Sequence, residues 1–191
     1  MSPTRWHRPI MVTSVSGLLA ATAVAAVARS HMANAPGAAG PSDAQPSAVS
    51  PARAPSAPQP TVDGPCRYLS VEAVQAANGE RVTAVRVSKT ATNQPYPACF
   101  FFTYHDAVQL RTWIVVATPQ TARATVDAAA PVATSDLAEL PGGWSGGSQP
   151  TDDGAVFAVA RHGTAVVITT NQRHTISARR IAEQVIATLG L

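Results

Sequence analysis

Gly154-Ala155-Val156-Phe157-Ala158-Val159-Ala160-Arg161-His162-Gly163-Thr164-Ala165-Val166-Val167-Ile168-Thr169-Thr170 is the stretch on which the fold turns. Two apolar runs, 155–160 and 164–170, flank the polar Arg161-His162-Gly163, and this pattern predicts a β-hairpin. Beyond it, Ile181, Val185 and Leu189 recur every fourth residue with Ile186 beside them and Gly190 as a stop, so a C-terminal helix with one apolar face is expected. Upstream, 99–104 and 109–117 read as strands joined by Tyr104-His105-Asp106-Ala107, a second hairpin. Thr118-Pro119 is a cap followed by a first-turn proline and predicts a helix to Ala129, stopped by Pro131 and followed by a long loop. Ser70 caps a short helix through Ala77, ended by Asn78-Gly79, and 81–89 reads as a strand with Val85 and Val87 on one face. Hairpins covered by helices predict a single α+β domain with a mainly antiparallel sheet and a few helices packed on it, spanning 64–191.

The N-terminal third reads differently. Residues 10–28 are apolar and uncharged behind an arm carrying Arg5, His7 and Arg8, and Ala26-Val27-Ala28 supplies a cleavage signature. Residues 1–28 are therefore expected to be a signal peptide cut after Ala28 or an uncleaved N-terminal membrane anchor. Ala33-Asn34-Ala35 is the poorer cleavage site because Pro36 would follow the cut. Either way the domain is placed outside the cytoplasm, with membrane contact only through residues 10–28 if they stay attached. Residues 29–63 are rich in Ala, Pro and Ser, with Pro36, Pro41, Pro46 and Pro51 at intervals of five, and are expected to be a disordered linker.

The chain carries 14 Lys+Arg against 11 Asp+Glu, a net charge of +3, of which Arg5 and Arg8 in the export segment account for two. The remainder is close to neutral and lacks the basic footprint of a nucleic-acid binder. The two cysteines, Cys66 and Cys99, are expected to form a structural disulfide in an exported chain. The loop it closes has about 34 residues, and the chain-entropy model makes that worth roughly 3–4 kcal/mol. Neither a C-x-x-C spacing nor nearby histidines suggest a redox or metal role.

Gly143-Trp144-Ser145-Gly146-Gly147 matches G-x-S-x-G, the pattern of a nucleophile elbow, with His162 or His174 and Asp152 or Asp153 as nominal partners. The sequence around it lacks the strand-then-helix context, so the segment reads as a glycine-rich loop whose Trp144 either plugs the core edge or offers an exposed binding element. Phe100, Phe102 and Tyr104 share one face of their strand, as core or as the lining of a ligand cleft. Arg173, His174, Arg179 and Arg180 gather where the last helix starts. There they are either offset by Glu183 or form an anion site. His105, His162 and His174 show no metal-ligand spacing. The chain has no H-E-x-x-H, EF-hand, P-loop or dinucleotide fingerprint, so neither metal nor cofactor is expected.

Several of these pieces carry a resemblance. They are Asn78-Gly79-Glu80-Arg81-Val82, Ala98-Cys99-Phe100, Gly143-Trp144-Ser145-Gly146-Gly147, Gly154-Ala155-Val156-Phe157-Ala158-Val159, Thr170-Asn171-Gln172, Ile181-Ala182-Glu183 and Leu189-Gly190-Leu191. Through them the segment from Cys66 onward resembles an actinobacterial family of exported proteins with a domain of unknown function, found in mycobacteria and corynebacteria. That resemblance implies an extracytoplasmic location and no known reaction, cofactor or active site. Some relatives carry a lipobox cysteine, which this chain lacks. A looser similarity is to small mycobacterial envelope lipoproteins with a PsbP-like sheet-and-helix fold. The expected role is a non-catalytic envelope binding module whose partner is a protein, lipid or glycan, bound through Trp144 and the Arg173, Arg179 and Arg180 end of the last helix. The alternative is a small serine hydrolase using Ser145.

Overall fold

The 154–170 hairpin lies in the middle of the sheet. A computed structural model describes residues 51–191. The strands are β1 (Val62–Asp63), β2 (Ala84–Val87), β3 (Cys99–Phe102), β4 (Val108–Val116), β5 (Asp136–Leu140), β6 (Trp144–Thr151), β7 (Gly154–Arg161) and β8 (Thr164–Thr170). The helices are α1 (Val71–Asn78), α2 (Pro119–Ala129) and α3 (Thr175–Leu189). All eight strands pair antiparallel in the order β1-β2-β3-β4-β8-β7-β6-β5. The fold is thus the expected α+β domain, with three helices on the sheet and one of them C-terminal.

Strand alternation divides the core into two layers. Val166 and Ile168 of β8, with Phe157 and Val159 of β7, meet Val74 of α1 and Ile181 and Val185 of α3. Ala165 and Val167 of β8, with Val156 and Ala158 of β7, meet Ala122 and Val126 of α2 on the opposite face. The central strands are buried on both sides, which is why their sequences read as continuous apolar runs. The caps act as expected. Ser70 Oγ accepts from Ala73 N at 3.2 Å, Thr118 Oγ1 accepts from Thr121 N at 3.2 Å, and Gly79 and Gly190 close their helices in the left-handed region at φ 73 and 64.

Two regions depart from the expectation. The long loop after Pro131 contains a hairpin, β5 and β6, which extends the sheet by two strands. Trp144-Ser145-Gly146-Gly147-Ser148-Gln149-Pro150 has little intrinsic strand preference. It is held extended because β7 templates one edge and β5 the other. The sheet also begins before residue 64, since Thr61 N donates to the Val87 carbonyl and Val62–Asp63 pairs with β2. The C-terminal end of the expected linker therefore belongs to the domain. Cys66 and Cys99 are joined as expected, fastening the segment before α1 to the start of β3. Residues 10–28 and most of the 29–63 stretch lie outside the described residues, and among those described no helix is long and apolar enough to cross a membrane.

Candidate functional site

Ser145 lies near the start of β6, opposite Glu139 of β5 on one side and Ala160 of β7 on the other. A nucleophile elbow needs a sharp turn from strand into helix, and this serine instead stands on a strand paired along both edges. Its Oγ accepts from Arg123 Nη2 of α2 at 3.3 Å. Asp152 and Asp153 sit in the turn at the far end of β6, beyond Thr151. His162 is in the β7–β8 turn and His174 precedes α3. The glycines serve packing: a Cβ at Gly146 would run into the Ala158 carbonyl and Val126, and one at Gly147 into Ser135 and Ala130.

Trp144 is not a surface element. It is 2 % exposed, packs in the layer under α3 and is covered by the Arg161 guanidinium 5.1 Å from its ring centroid. Arg161 is held there by a 3.2 Å bond from Nη1 to the Gly142 carbonyl. Burial removes the binding role expected for Trp144 and leaves the core-plug reading. Arg173, Arg179 and Arg180 are exposed near the start of α3, where Arg179 Nε pairs with Glu183 Oε1 at 3.0 Å. The Arg179 charge is thus offset within α3 itself. The three histidines stand on three separate turns, and among the described residues no group of three His, Cys, Asp or Glu gathers.

The aromatic row of β3 is split. Phe100 and Phe102 are buried on the α2 side of the sheet, with Arg86 stacked 4.5 Å over the Phe102 ring. Tyr104 falls in the following turn and is 59 % exposed. Continuing along that face, Ala98 and Trp113 lead to a half-open cleft of about 410 Å³. Its floor includes Ala98, Trp113 and Val115, its flank Tyr96, and its roof Pro55 and Pro58 of the segment expected to be linker. Gln94 secures the flanking loop to the end of β4, donating from Nε2 to the Val116 carbonyl at 3.0 Å and accepting from Val116 N at 3.1 Å. In the layer under α1 and α3, the Tyr68 hydroxyl donates to the Pro97 carbonyl and meets Thr112 Oγ1, both at 2.8 Å. Burial pushes that hydroxyl up to about 12, against the smaller opposing effect of the Thr112 bond.

A family model described as Domain of unknown function (DUF2020) matches residues 50–191. The chain belongs to that family. No curated protein matches it. The DUF2020 match begins at residue 50, so the proline segment over the cleft is part of the domain as the family defines it. Two of the segments through which the resemblance was read, 78–82 and 170–172, lie far apart in sequence and meet in the structure. Asn78 Nδ2 donates to the Gln109 carbonyl at 3.0 Å and its Oδ1 accepts from Thr170 Oγ1 at 3.1 Å. Glu80 accepts from Asn171 Nδ2 at 3.1 Å and from Gln172 Nε2 at 2.9 Å. This network latches the end of α1 to the turn between β8 and α3 in the DUF2020 domain.

The sequence reading missed the cleft. Trp113 alternates with Leu110, Thr112 and Ile114 along β4 and so stands on the opposite face. What the sequence did not signal is that the prolines return over it.

Proposed function

We propose that this domain is a non-catalytic binding module of an actinobacterial cell envelope, working outside the membrane and taking its ligand in the cleft between Trp113 and the proline roof. The cleft carries the reading. Its volume falls within the usual range for small-molecule sites, about 300–1,000 Å³, and it combines apolar walls with a few polar groups. The export segment at 1–28 and the Cys66–Cys99 disulfide support an extracytoplasmic setting. The partner falls in the envelope classes of protein, lipid or glycan, and the geometry of the cleft favours a small apolar molecule over a macromolecular surface.

The test is a titration with the neutral fluorescent probe N-phenyl-1-naphthylamine. Saturable binding by the wild-type protein, lost in Trp113→Leu with the far-ultraviolet circular dichroism unchanged, is the expected result. Absence of saturable binding would sink the proposal. The hydrolase alternative predicts labelling by a fluorophosphonate that disappears in Ser145→Ala. Since Ser145 stands on a paired strand and bonds Arg123, no such labelling is expected.

A further inference from the structure

We infer that the cleft selects a single-chain amphiphile with an anionic head, holding the apolar chain against Trp113 and the prolines and the anion at Lys89. The inference rests on the cleft being a ligand site, as proposed above, and names what that ligand is. Three observations carry it. Lys89, the only lysine of the chain, is the sole charged residue among those lining the cleft, and no carboxylate lines it. Ser88, also in the lining, accepts from Ala98 N at 3.0 Å through Oγ, which leaves its hydroxyl proton free to donate. Ammonium and hydroxyl are both donors, so the complement is an acceptor bearing negative charge. The remaining walls are predominantly apolar and need an apolar guest.

The roof lies over the cleft without being laddered onto the sheet. Among the described residues, no hydrogen bond ties 51–60 to the sheet; the first anchor is Thr61, whose N and Oγ1 both donate to the Val87 carbonyl, at 3.0 and 3.2 Å. Four of the ten residues from 51 to 60 are prolines, which lack an N–H to satisfy, so this strap rests on the cleft without a ladder holding it down.

The experiment displaces bound N-phenyl-1-naphthylamine from the purified protein with dodecanoate or with methyl dodecanoate. Wild type should favour the acid about fivefold, the effect of one solvent-accessible ion pair. Lys89→Gln should bring the two ligands level, and Lys89→Glu should shift preference to dodecylammonium, which guards against simple misfolding. Equal displacement by acid and ester in the wild type would overturn the inference and leave the binding module standing. Failure of the naphthylamine itself to bind would remove both. Co-sedimentation with phosphatidylglycerol vesicles without displacement by dodecanoate would also overturn it, by assigning Lys89 to a membrane surface.

Discussion

Trp144 shows how one residue's environment decides its role. A tryptophan among glycines reads as a plug of the core edge or as an exposed probe. Here Arg161 stacks over it and the layer beneath α3 encloses it. Trp144→Ala is expected to cost about 3–5 kcal/mol, the range for emptying a large aromatic site, read as a lowered urea midpoint. Tyr68 makes a second prediction, in pH. Its hydroxyl rises from the ordinary 10 to about 12 on folding, so the folded state holds the proton more tightly. That contribution to stability is whole below pH 10 and lost as pH climbs toward 12, amounting to about 2–3 kcal/mol. Denaturation followed between pH 9 and 12 should show this loss in wild type and not in Tyr68→Phe. At this scale the sequence was ambiguous, because burial is settled by what returns to cover a side chain, and for Trp144 the cover comes from Arg161 on the next strand pair.

Among the elements, the β7–β8 hairpin, both capped helices and α3 were legible because periodicity and local caps specify them without help from distant chain. The β5–β6 hairpin was not. Its glycines and Pro150 carry no strand signal, and pairing with β7 and β5 makes the segment a strand. The edges of the sheet are therefore where a sequence reading is weakest. Gly146→Ala should expose this dependence: the added methyl meets the Ala158 carbonyl and Val126, and a loss of about 1–3 kcal/mol is expected on thermal unfolding. The latch between α1 and β8 is a second element-level dependence. Asn78→Ala would remove the acceptor of the Thr170 hydroxyl and one of the two donors to the Gln109 carbonyl, which keeps Asn171 N. The expected loss is about 1–3 kcal/mol, accompanied by faster amide exchange at the ends of α1 and β8.

For the molecule as a whole, the disulfide is the principal covalent constraint. It spans a sequence separation of 33 residues, and Cys66→Ala/Cys99→Ala should lose roughly 3–4 kcal/mol in the chain-entropy model, measured by denaturant titration. The cysteine pair was legible from count and setting. The cleft was not, because it is made by residues from three places: a proline stretch that composition assigns to a linker, the loop carrying Lys89 and Tyr96, and the α2-side face of β4. Only the tertiary arrangement brings them together.

The strand order has a consequence in time. β4 has β3 on one edge, and its other edge is completed by β8, with Leu110 facing Thr170 and Val116 facing Thr164. A chain handed over from its N-terminus, whether by ribosome or by pore, presents β1 to β4 and both cysteines long before β8 arrives. During that interval the most apolar edge of the sheet stands open. Closure of the Cys66–Cys99 link does not require the C-terminal half, so the half-built sheet can be covalently pinned while it waits for the hairpin that completes it.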